Sequence, residues 1–305
     1  MATVIRLDHP MLTALLTTGF FAATAAIARR AALLLGPTTA NLWRLLLATL
    51  LLGAWAWSFG HGLGPAFGWF FASGVAGFGI GGFLMFHALP RAGSNVANLV
   101  VQCGSAVAAL IIAWAWLGEQ LRGAELAALT LILAGVILGT APRSFPQLTP
   151  RQIRLGAGLA AFSALGQGAG TVFSRRAFAA LHANGLGIDP GSATFERVLG
   201  GLVVALIPWL VIRNAGLATE TPRRAFGPAW PWVVLNTLTG PVLGVTCLQW
   251  ALSTTPAAIV QTIVAAAPLL TAPLAFGLGE ALPRGRYFAG AIVGVAGTIA
   301  LWWLR

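Results

Sequence analysis

Ten apolar stretches, each close to the length of a bilayer crossing, fill this chain almost from end to end. They run over 11–35, 38–58, 65–89, 94–117, 122–141, 154–182, 191–213, 229–252, 256–279 and 283–304. A helix needs about 20 mainly apolar residues to cross the hydrocarbon core. In lipid each backbone N–H and C=O must be paired within its own segment, so stretches like these are helices. No period-two alternation marks them as barrel strands. Composition closes off the soluble alternative: 58% of the 305 residues are hydrophobic and 8% are charged, against roughly 25% charged in a soluble domain. A soluble fold of this size buries only about 75% of its surface, too little to hide so much apolar area. The chain reads as an all-α integral membrane protein of ten transmembrane helices. Its first stretch ends at Arg29–Arg30 without a small-residue cleavage site, so it reads as a retained span rather than a leader.

The net charge of +11 would point to nucleic acid in a soluble protein. Here all 18 basic residues are arginines, set singly or in pairs between apolar runs, as the flanks of membrane spans would be. No nucleic-acid partner is expected; the partners are the lipid bilayer and a small-molecule substrate. Cys103 and Cys247 lie inside apolar runs and read as core thiols. Links such as Arg91–Gly93, Glu119–Leu121, Ser253–Thr255 and Ala281–Leu282 are short, which forces antiparallel neighbours. Glycines crowd particular spans: Gly74, Gly77, Gly79, Gly81 and Gly82 in the third, Gly135 and Gly139 in the fifth. Gly240 and Gly244 lie in the eighth, and Gly290, Gly294 and Gly297 in the tenth. They predict close approach of helix backbones.

The chain also repeats itself. Arg29–Arg30, then Pro37, then Arg44 in the first half match Arg175–Arg176, then Pro190, then Arg197 in the second. The interval from Pro to Arg is the same in both. Ala88-Leu89 recurs as Ala251-Leu252, and Leu117-Gly118-Glu119 as Leu278-Gly279-Glu280. Asn98 and Gln261 follow the Ala-Leu pair at equal distance, so each half places an amide in its fourth span. Single matches are cheap; an ordered series in two halves is not. The halves are 1–141 and 154–305, joined by a linker at 142–153. Five spans is an odd number, so the second half enters the membrane in the opposite sense. Two such bundles share a pseudo-two-fold axis in the membrane plane, with a substrate site near the midplane.

With these residues in place the sequence resembles the EamA-type drug/metabolite transporter superfamily. The resemblance rests on the arginines of spans two and seven (Arg44, Arg197) and the Gly-Glu pairs closing spans four and nine. Pro268, twelve residues before Glu280, also carries it. The first half has no such proline, Val107 standing near its place. The resemblance implies a secondary transporter that exports or exchanges small polar metabolites, amino acids or organic anions, by alternating access. It further implies a bacterial inner (plasma) membrane.

Arg44 and Arg197 are the sharpest candidates for substrate binding. A basic side chain deep in a span costs about 2.5–3.5 kcal/mol on insertion scales and therefore faces a bundle interior or cavity. A guanidinium presents a fork of donors matched to carboxylate or phosphate. The alternative is a structural arginine bonded to helix carbonyls or to an acid. Asn98, Gln261, Trp43 and Trp250 are further candidates for the cavity wall. Glu196, an acid well inside a span, is a candidate for proton coupling, or else a partner for an arginine on another helix. Glu119 and Glu280, which end helices, are expected to clasp neighbouring helices, and Pro268 to be structural. Arg29–Arg30 and Arg175–Arg176 are expected to snorkel to the interface, or else to gate the cavity mouth. His87, alone in an apolar run, is expected to pack rather than to ligate.

A membrane enzyme fares badly: no Gly-x-Ser-x-Gly or His-Glu-x-x-His is present and the chain has two aspartates. Neither a metal site nor a cofactor is expected. A non-transporting scaffold or assembly factor is the remaining alternative, and costly buried arginines argue against it. Arginines at span ends number three on the side of the termini, Arg6, Arg122 and Arg305, against nine on the other. The positive-inside rule then places both termini outside, whereas family members are usually drawn with both in the cytoplasm.

Overall fold

A computed structural model describes residues 9–117, 123–139, 148–215 and 223–304. Glu119 lies outside them. The described residues form helix with short connections and no strand. In chain order the helices are α1 (His9–Leu35), α2 (Pro37–Ser58), α3 (Phe67–Gly74), α4 (Gly82–Leu117), α5 (Gly123–Gly139) and α6 (Pro150–Ala183). There follow α7 (Pro190–Asn214), α8 (Arg223–Thr237), α9 (Val245–Thr254), α10 (Ala257–Val264), α11 (Ala267–Gly277) and α12 (Gly285–Trp303). Two π-helical turns, Val75–Gly81 and Leu238–Gly244, join α3 to α4 and α8 to α9. Among the described residues, five helical stretches are long and apolar enough to cross a membrane: Leu12–Leu35, Pro37–Ser58, Phe67–Trp116, Pro190–Asn214 and Gly227–Thr254.

The starts of several helices follow from their residues. Pro37, Pro150 and Pro190 sit in first turns, where their missing N–H costs nothing. Thr149 and Gln152 form a capping box on α6, and Asp189 accepts the Ser192 N–H at 2.9 Å on α7. The third and fourth predicted spans share the 50-residue stretch Phe67–Trp116, yet the chain turns back within it. Gly93 breaks α4 with φ 77° and ψ 163°, a left-handed backbone that favours glycine. Contacts with α6 show the reversal. On the incoming arm Gly81 lies at Gly166 and Ala92 at Gly156; on the outgoing arm Gly104 lies at Ala164 and Ala108 at Gly168.

The two halves are inserted in opposite senses, and equivalent helices pack on each other antiparallel. Along α2 and α7, Trp55 lies at Gly191 and Gly53 at Phe195. Along α5 and α12, a Cβ on Gly135 would fall 2.3 Å from the Gly294 nitrogen, and one on Gly290 would fall 2.3 Å from the Gly139 nitrogen. The glycines thus set the spacing of this pair, backbone against backbone. Antiparallel pairing of equivalent helices is what a dyad in the membrane plane demands.

The π turns stand 163 residues apart in equivalent places. Pro241 in the second has no N–H for the α-helical ladder, which favours the wider turn. Each turn packs on the second helix of the other half. A Cβ on Gly74 would lie 1.7 Å from the Arg197 carbonyl oxygen, while the Thr237 hydroxyl, 163 residues later, lies 3.4 Å from the Arg44 carbonyl.

Candidate functional site

Helices α1, α2, α4, α6, α7, α9 and α10 and both π turns line a central cavity of about 70 Å³. Arg44, Arg197, Asn98 and Gln261 all line it. The inverted repeat explains why. Arg44 sits in the second turn of α2 and Arg197 in the second turn of α7, and those helices start from opposite membrane faces. The two guanidiniums therefore approach the cavity from its two ends. Both are buried, with 6% and 4% exposure.

Both guanidiniums lie close to one aromatic ring. The Cζ of Arg44 lies 5.6 Å from the centroid of Phe78, and that of Arg197 lies 5.3 Å from it. Arg44 is the more firmly placed: its Cζ also lies 4.7 Å from the Phe86 centroid, and its Nε donates to Asn41 Oδ1 at 3.0 Å. Asn41 is one turn back on the same helix face. The outer arms of each fork reach glycines of the two halves in a crossed pattern. Arg44 Nη1 would be 3.7 Å from a Cβ on Gly240, and Arg197 Nη2 would be 2.7 Å from one on Gly77, the dyad mate of Gly240. Among the described residues neither arginine forms a salt bridge. Arg197 Nε and Nη1 are buried without an acceptor.

Amides form the rest of the polar wall. Asn98 Nδ2 donates to Thr271 Oγ1 at 2.6 Å, and Gln102 Nε2 donates to Asn98 Oδ1 at 3.1 Å. Gln261 Nε2 donates to Thr171 Oγ1 at 2.5 Å, and Ser105 Oγ to Gln261 Oε1 at 3.4 Å. Asn98 is thus held by a hydroxyl of the opposite half, and Gln261 by Thr171 of its own half and Ser105 of the other. Gln102 Oε1 is buried without a partner.

Trp43 and Trp250 are not among the residues lining the cavity. Trp43 meets Trp230 edge to face at 5.8 Å, and Trp250 is 49% exposed. Glu196, adjacent to Arg197 in sequence, points the other way. It is fully buried, accepts the N–H of Gly64 in the α2–α3 connection, and leaves Oε2 without a partner. His87 Nδ1 lies 2.9 Å from the Phe83 carbonyl oxygen. Pro268 enters the first turn of α11, just after the helix breaks at Ala265–Ala266, and its carbonyl accepts the Tyr287 hydroxyl at 2.8 Å.

Both ends of the molecule carry polar clasps between the halves. At the end where α1 stops, Glu280 accepts from Ser94 N at 3.1 Å and from Ser94 Oγ at 2.6 Å, and lies 3.7 Å from Arg29 Nη1. Arg30 donates to the Leu278 carbonyl. At the opposite end Asp189 accepts from Trp55 Nε1 at 3.1 Å and from His61 N at 3.0 Å, with His61 Nδ1 2.9 Å away. Burial would raise the Asp189 carboxyl, but hydrogen bonds from Ser192, His61 and Trp55 outweigh it and hold the group well below the usual carboxylate range. Arg175 donates to the carbonyls of Leu252 and Ser253 at 3.0 and 3.2 Å. Arg29, Arg30 and Arg175 are therefore bound to other helix ends, where the sequence alone suggested snorkelling into the interface.

Phe78, Phe86 and Asn41 were not legible as site residues, nor were Gly77 and Gly240 as neighbours of the guanidiniums. Asn41 carries a signal, its three-residue spacing from Arg44. The phenylalanines carry none, because their meeting with the arginines depends on the tertiary path of the π turn.

The family model of the EamA-like transporter family matches residues 9–140 and again 154–303. No curated protein matches significantly. A solved structure described as "Crystal structure of protein" is similar over 97% of this chain and 97% of its own, with a TM-score of 0.68 at 22% identity, a likeness of fold.

Proposed function

Because the chain belongs to the EamA-like transporter family, we propose that it is a secondary transporter of small anionic or carboxylate-bearing metabolites, exporting or exchanging them by alternating access. One observation carries the substrate class: two buried guanidiniums line the central cavity, and among the described residues neither has a carboxylate partner. A buried charge without a counter-charge is costly, and an anion between the two forks would offset that cost. Arg44 is pinned by Asn41 and stacked on two rings before the substrate arrives, so little side-chain freedom is lost on binding.

The repeat supports the alternating-access reading. Each π turn leans on the second helix of the opposite half, so a rocking of the halves would move Gly77 against Arg197 and Gly240 against Arg44 in opposite senses. Glu196 is a candidate to carry a coupled proton, being wholly buried with one oxygen unpartnered. The arginine-rich connections would face the cytoplasm of a bacterial inner membrane, with both termini outside.

Flux in proteoliposomes with panels of organic anions and amino acids tests the reading. Saturable transport of a carboxylate that is lost in both Arg44→Gln and Arg197→Gln is the expected result. A folded protein that moves none of the panel, with both arginines replaceable, would favour a scaffold.

A further inference from the structure

A second polar cavity, about 240 Å³, stands outside the central one at the end where α1 stops. Arg29, Asn95, Gly93 and Glu280 are in its wall. It shares walls with the central cavity, one turn further out. Ala28 faces the inner space and Arg29 the outer; Leu89 the inner and Ala92 the outer; Asn98 the inner and Asn95 the outer. Its polar groups are incompletely used. Asn95 is 2% exposed with Oδ1 lacking any donor, and Arg29 Nε is buried without an acceptor.

The same complement recurs deeper in. There an arginine fork stands with the unpartnered Oε1 of Gln102. Asn95, Asn98 and Gln102 lie at i, i+3 and i+7, so they share one face of α4. A ligand suited to both places carries a carboxylate for the arginine and an N–H or O–H close by for the amide oxygen.

We propose that the outer cavity is a second binding station for the transported molecule, a small carboxylic acid bearing an α-amino or α-hydroxyl group, and that Glu280 holds its place when it is absent. This rests on the anion-transport reading above. The Glu280 carboxylate already lies 3.7 Å from Arg29, where the ligand's carboxylate would sit. An arriving carboxylate competes with it for the guanidinium. Displacing Glu280 also withdraws the acceptor of Ser94 N and Oγ, next to the break at Gly93, and so frees the clasp over the central cavity.

Calorimetric titration of the purified full chain in detergent tests this, with lactate and serine as probes and propionate as the donor-less control. The double variant Arg44→Gln/Arg197→Gln removes the inner site. It is expected still to bind lactate and serine, and to bind propionate roughly three- to tenfold more weakly, the worth of one hydrogen bond. Glu280→Gln, which removes the competitor, is expected to tighten lactate about tenfold by raising the competent fraction. Asn95→Leu should erase the difference between lactate and propionate. In the otherwise intact chain, Arg29→Gln should reduce a two-site isotherm to one site. Lactate binding that survives in the wild type but vanishes in the double variant, with a single site in both the wild type and Arg29→Gln, overturns the outer station and leaves the inner reading standing. Equal affinity for lactate and propionate, or no tightening in Glu280→Gln, overturns it as well. Absence of binding to the wild type overturns both.

Discussion

The Thr237 hydroxyl lies 3.4 Å from the carbonyl of Arg44, and its dyad mate Gly74 meets the carbonyl of Arg197 without a side chain to place there. The two seams between the halves are thus alike in position and unlike in tolerance. At Gly74 a methyl would sit 1.7 Å from a backbone oxygen, which no rotamer change relieves. At Gly240 a methyl would sit 3.4 Å from Thr24, ordinary contact.

Gly74→Ala should therefore lower the melting temperature sharply, by at least the 1–3 kcal/mol or so typical of overpacking, whereas Gly240→Ala should leave it almost unchanged. Thermal melts in detergent decide this. Equal melting temperatures for the two variants would mean that the π turn does not lean on α7 as described.

The placement of Arg44 by Asn41 leads to a kinetic expectation. Asn41→Ala removes the acceptor of Nε but leaves the charge. It should raise the half-saturation concentration of transport severalfold, with little change in the maximal rate. Arg44→Lys keeps the charge but loses the planar fork, and should cost more, about tenfold or beyond. A lysine variant with wild-type affinity would show that charge alone suffices. Flux measured against substrate concentration separates these outcomes.

Much of this arrangement could be read in the residues. Helical character followed from the apolar stretches, and the inverted halves from ordered landmarks such as Pro37–Arg44 and Pro190–Arg197. An arginine deep in a span has few places to go but inward, so Arg44 and Arg197 were found by cost alone. Tryptophan carries no such constraint, since it is content against lipid, at an interface or in a wall. Trp250 is half exposed and Trp43 packs on Trp230. The arginine pairs were hidden for a related reason. A long side chain near a helix end can reach the interface, and only the fold shows that Leu278 and Glu280 lie nearer to Arg30 and Arg29. The π turns left no mark beyond their glycines and Pro241.

The Asp189 clasp carries a pH dependence with a definite sign. Its carboxyl is held below the ordinary value of 3.8 in the folded protein. The stability it contributes is therefore present above that value and is lost as the pH falls through the lower, folded one. Asp189→Asn keeps a capping oxygen for the Ser192 N–H but gives up the charge. It should melt below the wild type at neutral pH, and the gap should narrow as the pH drops below about 4. A gap of constant size across the series would show that the carboxylate is not preferentially stabilised by Trp55, His61 and Ser192.

Glu196 offers the last test, because its geometry separates coupling from substrate binding. It lies beside Arg197 in the chain but accepts from Gly64 in the α2–α3 connection, and it is not in the cavity wall. A residue so placed can bind and release a proton without touching the substrate. Glu196→Gln mimics the protonated carboxyl in shape. In proteoliposomes it should retain substrate-for-substrate exchange at near wild-type rates while losing accumulation driven by a pH gradient. Its melting temperature should stay close to that of the wild type, since the amide oxygen can still accept from Gly64. Loss of exchange along with accumulation would assign Glu196 a structural part in holding the α2–α3 connection. Gradient-driven accumulation that persists unchanged would remove it from the coupling path.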